Sequence, residues 1–317
     1  MTPIETAQLL LSKDNFLIIT HKNPDGDTLG SSAALCRSLR ACGKKAFLYD
    51  NKSISEKFMP YLTEYIIHED FDADFIVSVD VADTTMFCPG FSGHIDLAID
   101  HHVANPGFGD YNCIYSEKSA CGEIITEIIE NFPSGIDEVT ATLLYIAVTT
   151  DTGAFMYLNT NADTFSCCSR LLKYGADMQE VNTVFFRKVS KPRIALEGLI
   201  YSGFEYYHNA EVVISVVTLE DMKRCEATNN DIDDLAGLPG RVDSEKIGVT
   251  IREIEEGISK VSVRTVPEYN ACEICQAFGG GGHVMASGCT IHENPETAKQ
   301  LILSEIDNFF NERIFIN

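Results

Sequence analysis

Three short apolar, β-branched runs each end on an acidic or histidine residue, and this pattern restricts the fold more than any other feature of the chain. Phe16–Thr20 runs into His21, Phe75–Val79 into Asp80, and Ile95–Ile99 into Asp100-His101-His102. Runs of this length and composition read as buried strands. Ala46–Tyr49 is a fourth. Helical stretches lie between and after them. Thr28 to Cys42 carries Leu29, Ala33, Leu35, Cys36 and Leu39 at helical spacing and is closed by Gly43, and Cys121–Asn131 and Asp137–Thr149 follow. The alternation predicts an α/β fold, a doubly wound, mainly parallel sheet with helices on both faces. In such sheets ligands bind beyond the carboxyl ends of the strands. His21, Asp80, Asp100 and His101 are therefore delivered to one edge.

Two more segments join them. In His21-Lys-Asn-Pro24-Asp25-Gly26-Asp27, Pro24 restricts Asn23 and Gly26 permits a sharp turn, which can aim Asp25 and Asp27 at adjacent ions. Asp151 follows a helical run ending near Thr150, with Gly153 allowing a turn after it. Each element alone is ordinary: an Asp-Gly-Asp is usually just a turn, and a lone Asp after a strand is usually a cap. Their joint occurrence at strand ends points to a two-metal centre. Asp25, Asp27, Asp80 and Asp151 offset the charge of two divalent ions. Carboxylates with imidazoles suit Mn²⁺, with Mg²⁺ also possible. Paired ions of this kind cut phosphate esters.

Residues 162–186 read as two further helices. The basic stretch Arg187–Arg193, interrupted by Pro192, then marks a boundary. The expected division is a metal-binding catalytic domain over 1–186, a linker over 187–196 and a smaller α/β domain over 197–317. The last has strands at 211–217, 247–251 and 258–264 and a closing helix at 298–310. There Arg264 ends a strand, and Gly279-Gly280-Gly281-Gly282 leads into His283. A glycine run brings backbone N–H groups close to an anion, and arginine suits a bidentate grip on a terminal phosphate. Arg264, Gly280, Gly281, Gly282 and His283 are thus expected to hold substrate.

Charge narrows the partners. A net charge of −23, from 24 basic against 47 acidic residues, gives no basic track for long duplex DNA. A short single-stranded RNA or small nucleotide in one pocket is the better match, because bound ions reverse the local field. No apolar run approaches the ~18–20 residues of a membrane span, so no membrane partner is expected. The 11 scattered cysteines read as reduced thiols. With no signal-peptide pattern at the N-terminus, a cytoplasmic location is the default. Cys272-Glu-Ile-Cys275 has no second pair at zinc spacing and reads as part of a helix.

These residues resemble the DHH phosphoesterase superfamily, which includes RecJ-type exonucleases, family II inorganic pyrophosphatases and cyclic-dinucleotide phosphodiesterases. The signature is Asp100-His101-His102, with His21, Asp25, Asp27, Asp80 and Asp151. The segment Val261–Arg264 with Gly279–His283 is similar to the DHH-associated substrate domain. Asp100–Asp110 is similar to the nano-RNase subgroup, compact oligoribonucleases that also act on 3′-phosphoadenosine-5′-phosphate (pAp). The resemblance implies that His21, Asp25 and Asp80 hold one ion. Asp27, Asp80, His101 and Asp151 would hold the other, with Asp80 bridging. It implies that Asp100 orients an imidazole, and that His102 faces the scissile phosphate, with Asp80 and Asp100 in the catalytic group. Asn105 would brace the loop on the substrate side. Ser119 would offer a hydroxyl contact from Ser119-Ala-Cys-Gly122, where the family often carries a Ser/Thr-rich segment. Arg264 and His283 would clasp the substrate. The implied activity is hydrolysis of short oligoribonucleotides to mononucleotides and of pAp to AMP. Alternatives are cyclic di-AMP or pApA hydrolysis, and a catalytically silent nucleotide-binding regulator. Length and cysteine usage are compatible with a homodimer.

Overall fold

Phe16, Leu17, Ile18 and Ile19 are all buried, as a strand covered on both faces requires. They form β1 (Phe16–Ile19) in a computed structural model that describes residues 1–69, 71–232 and 235–314. β2 (Ala46–Tyr49), β3 (Ile66–Ile67), β4 (Phe75–Val79), β5 (Leu97–Asp100) and β6 (Tyr111–Ile114) complete a parallel sheet of order β3-β2-β1-β4-β5-β6. This is the doubly wound order, and its direction reverses between β1 and β4. The chain divides into two compact units, Met1–Lys188 and Val189–Asn317.

The two faces of the first sheet are covered differently. Phe16 and Ile18 pack with Leu29, Leu35, Ile124, Leu144 and Leu171, so the helices Gly26–Ala41, Cys121–Ile129, Glu138–Asp151 and Ala162–Lys173 share one core. Leu17, Ile19 and Ala98 on the other face meet Phe71, Phe87, Phe91 and Phe108. Among the described residues that second core is built from strands and connecting segments. The expectation of helices on both faces thus holds for one face. The β4–β5 and β5–β6 connections carry Pro89, Gly90, Gly93, Pro106, Gly107 and Gly109, which do not propagate a helix, and aromatic rings cover the sheet instead.

The helix Gly26–Ala41 lies directly against Glu138–Asp151. A Cβ on Gly26 would fall 2.2 Å from the Thr150 hydroxyl, and one on Gly30 2.4 Å from the Leu143 carbonyl oxygen. Gly26 therefore serves close helix packing rather than the sharp turn expected of it, and that packing draws Asp27 toward Asp151. At Gly30 the obstacle is backbone, which cannot rotate away. Gly30→Ala is expected to destabilise the protein by about 1–3 kcal/mol, read as a lower urea midpoint with an unchanged slope.

The second unit has a mixed sheet of β7 (Glu205–Tyr207), β8 (Val212–Val217), β9 (Ile247–Glu255), β10 (Ile258–Thr265), β11 (Gly281–His283) and β12 (Ala286–Ile291), in the order β11-β12-β10-β9-β8-β7. Only β8 and β9 pair in parallel among these neighbours. One face packs against Ile274, Ala298, Ile302 and Ile306 of the helices Ala271–Gln276 and Pro295–Ile314. The connector is shorter than expected. Ser190 caps a helix Lys191–Ser202 by accepting from Arg193 N–H, with Pro192 in the first turn, where its missing donor costs nothing. Arg193 lies within this helix, its side chain 11% exposed and paired with Glu197 at 2.6 Å. The helix Pro3–Ser12 goes beyond the sequence reading, although Thr2 and Glu5 cap it reciprocally. No helix among the described residues is long and apolar enough to cross a membrane.

Candidate metal centre

Asp80 occupies the crevice where the sheet reverses direction. Its N–H donates to the Ile99 carbonyl, continuing the β4–β5 ladder by one residue. Its backbone then turns to φ +58°, a conformation that Asp tolerates better than most side chains. The carboxylate is 3% exposed, and its oxygens face two ways. Oδ2 lies 3.8 Å from His21 Nε2, and Oδ1 lies 3.5 Å from His101 Nε2. Oδ1 has no hydrogen-bond partner among the described residues, and neither does the buried His21 Nδ1.

Two groups of ligand atoms flank Asp80. His21, Asp25 and Asp80 form one; His21 Nε2 is 3.6 Å from Asp25 Oδ1. Asp27, His101 and Asp151 form the other, with His101 Nε2 3.8 Å from Asp27 Oδ2 and 3.7 Å from Asp151 Oδ2. Bonds of about 2.1 Å at near-right or tetrahedral angles place ligand atoms roughly 3–3.5 Å apart. The observed spacings need only small inward shifts to reach that. Such converging donors, with Asp80 Oδ1 left unpartnered among them, fit divalent ions, and the five residues His21, Asp25, Asp27, His101 and Asp151 with Asp80 between them would hold two.

Each ligand is aimed by its neighbours. Asp25 caps the helix Gly26–Ala41, accepting from the N–H groups of Asp27 and Thr28. Asp27 is 1% exposed and accepts from Ser31 Oγ and from the Cys121 and Gly122 N–H groups, at 3.0, 2.6 and 2.9 Å. His101 Nδ1 donates to the Lys118 carbonyl at 3.1 Å, which leaves the Nε2 lone pair for the site. Asp151 is the last residue of its helix rather than the residue after it, and Asn159 Nδ2 donates to it.

Electrostatics show how much negative charge is concentrated here. Burial, then the charges of Asp80 and Asp151, push Asp27 well above the usual carboxylate range. Burial likewise raises Asp151, to about 6, with Asp80 and Asp25 adding to the effect against His101. Burial opposes the His101 imidazolium, but the Asp80 carboxylate 3.5 Å away and the charges of Asp27 and Asp151 prevail and raise it to about 10.

His102 and Asp100 form a separate pair. Asp100 Oδ1 accepts from His102 Nδ1 at 2.8 Å, and this bond raises the His102 imidazolium against the effect of burial. Asp100 is itself held by Asn105 Nδ2 at 2.6 Å. Asn105 also donates to the Val81 carbonyl and accepts from Gly107 N–H. It braces the loop, and its amide is occupied there rather than offered to substrate. Ser119 is a clearer correction: it is 1% exposed, and its hydroxyl is engaged by Thr164 and the Asn159 carbonyl, so it makes no substrate contact. The functional part of Ser119–Gly122 is its backbone, which side-chain chemistry does not reveal.

Arg264, Gly280, Gly281, Gly282 and His283 lie in the second unit. Ala286 pairs with His283 on one side and with Arg264 on the other, so both side chains share one row and one face of the sheet. Among the described residues Arg264 makes no ion pair; its Nη1 donates to the Val263 carbonyl. A Cβ on Gly280 would fall 2.3 Å from the Gly288 carbonyl oxygen, and Gly282 has φ +151°. The end of the run is thus an exposed edge strand, Gly281–His283, in which Gly282, like Gly280 before it, packs closely against the neighbouring strand. Cys272 and Cys275 lie on the helix Ala271–Gln276, and none of the metal-competent groups among the described residues contains a cysteine.

Residues 15–148 match the DHH family, N-terminal domain, and residues 209–312 match the DHHA1 domain. The bifunctional oligoribonuclease and PAP phosphatase NrnA of Thermus thermophilus is 31% identical over 277 residues, covering 86% of this chain and 83% of that protein. The protein of the same name from Bacillus subtilis is 26% identical over 310 residues, 94% of this chain and 96% of that one. A crystal structure of an exopolyphosphatase-related protein from Bacteroides fragilis shares the fold, with a TM-score of 0.85 at 22% identity over 97% of this chain and 96% of that one. Strand order, converging ligands and sequence agree: the chain belongs to the DHH phosphoesterase superfamily, in its nano-RNase subgroup.

Proposed function

We propose that the protein hydrolyses short oligoribonucleotides to mononucleotides and pAp to AMP. The observation that carries this reading is the Asp80 carboxylate, whose two oxygens face two separate ligand groups 3.8 and 3.5 Å away. Two divalent ions, Mn²⁺ being well suited to this mixture of carboxylates and imidazoles, would supply an activated water and neutralise the phosphate. The chain's own residues do the rest. Asp100 fixes His102 through Nδ1, leaving Nε2 to donate a proton to the departing oxygen. His102 is 43% exposed, within reach of an incoming ester.

Exposed apolar side chains favour an organic ester over inorganic phosphate. Val103, next to His102, is 86% exposed, and Met156, Tyr157 and Leu158, between Asp151 and Asn159, are 79%, 55% and 86% exposed. Apolar and aromatic surface of this kind accepts a nucleobase. In the second unit Arg264 and His283, in one row on either side of Ala286, suit a terminal phosphate. The test is Mn²⁺-dependent turnover of pAp, an RNA dinucleotide, pApA and cyclic di-AMP, measured side by side. Rapid cleavage of the dinucleotide and pAp with little action on the cyclic compound is expected. Dominant cyclic di-AMP cleavage would overturn the assignment.

A further inference from the structure

One backbone segment, residues 118–122, contacts two members of one ligand group directly and the third through Asn159. The Lys118 carbonyl accepts from His101 Nδ1 at 3.1 Å. The Cys121 and Gly122 N–H groups donate to Asp27 at 2.6 and 2.9 Å. The Ser119 carbonyl accepts from Asn159 Nδ2 at 3.0 Å, and the same amide donates to the Asp151 carbonyl at 3.2 Å. Among the described residues the segment makes no hydrogen bond to His21 or Asp25. His21 is instead held through its carbonyl by Asn51, and Asp25 by the N–H groups that follow it.

What holds the segment is a buried acid that the hydrolysis itself does not use. Glu123, 1% exposed, sits in the first turn of the helix Cys121–Ile129. Its Oε1 accepts from Ser119 N–H at 3.3 Å and from Thr164 Oγ1 at 2.9 Å, while Lys118 Nζ stands 3.9 Å from Oε2. Glu123 thereby ties both ends of the segment to the helix Ala162–Lys173. Oε2 is buried without a hydrogen-bond partner among the described residues, so the tether rests on the two bonds to Oε1, without which a buried acid is costlier still.

We propose that Glu123 is a positioning residue that sets the affinity of one ion, the one held by Asp27, His101 and Asp151, and leaves the His21–Asp25 ion unaffected. The inference rests on the two-metal reading above. Partners that orient ligands typically change metal affinity by about 10–100-fold. Calorimetric Mn²⁺ titration of the full chain should resolve two ions in the wild type. Glu123→Ala should weaken one of them by about 10–100-fold and leave the other within a few-fold. Glu123→Gln keeps an acceptor for Ser119 and Thr164 and should restore most of the loss. Turnover of an RNA dinucleotide should fall in kcat with KM unchanged. Thr164→Val removes one tether with little change in volume and should show the same one-ion pattern, several-fold in size, even where Glu123→Ala does not fold. A folded Glu123→Ala protein with both affinities unchanged, or with both lost equally, would overturn the proposal, as would an unaltered Thr164→Val. A wild type that binds fewer than two ions would instead defeat the two-metal reading.

Discussion

Asp80→Asn is expected to lower Mn²⁺-dependent hydrolysis by at least ~10³-fold, because charge stabilisation at a metal centre is worth several kcal/mol. The fold should survive. Asparagine has nearly the same volume and tolerates the left-handed backbone at φ +58° that Asp80 adopts. What disappears is the negative charge shared by two ligand groups. The same change should stabilise the metal-free protein, because it removes a buried charge, 3% exposed, that bears on the neighbouring carboxylates Asp27 and Asp151. Ions that bind only the folded state raise its stability by mass action. Thermal melts should therefore cross: the variant starts above the wild type without Mn²⁺, and the wild type overtakes it when Mn²⁺ is added. A variant that kept turnover within about tenfold of the wild type would remove Asp80 from the centre.

The parts of this site that were legible in the sequence are those whose residue type and strand position carry the information. Asp80 and His101 could be placed because β4 and β5 are apolar runs buried on both faces, so the first polar residue past each must emerge at the same sheet edge. β6 was not legible. Tyr111–Ile114 is an edge strand with one buried residue, Cys113, and needs no apolar run. Nor were the supports of the ligands. Cys121 and Gly122 act through N–H groups that every non-proline residue has, and the Lys118 carbonyl is equally anonymous. Gly26 was noticed for a turn when its service is contact with Thr150, a residue 124 positions away that no local pattern connects to it. Ser119 was noticed for its hydroxyl, which Thr164 occupies in the core.

Acidification should weaken ion binding more steeply than one ordinary carboxylate could account for. Protons and metal ions compete for the same atoms. In the metal-free protein His101 holds its second proton up to about 10, and Asp151 holds its proton up to about 6. Asp27 is pushed upward as well, by burial and by Asp80 and Asp151. Each proton expelled makes affinity rise about tenfold per pH unit while the group is protonated. Near neutrality the His101 proton is released on binding; toward pH 5 that of Asp151 is added, and the upward push on Asp27 acts in the same sense. Stability of the metal-free protein runs the other way. A folded state that binds protons more tightly than the unfolded chain loses stability as pH rises, from 3.8 to about 6 for Asp151 and from 6.5 to about 10 for His101. Melting temperatures without metal should accordingly fall between pH 6 and pH 8, while the increment produced by a fixed Mn²⁺ concentration grows. Calorimetry in two buffers of different ionisation enthalpy would count the released protons directly. An affinity that does not change between pH 6 and pH 8 would mean that His101 Nε2 is not a ligand, and with it the second ion would lose the atom around which its group is built.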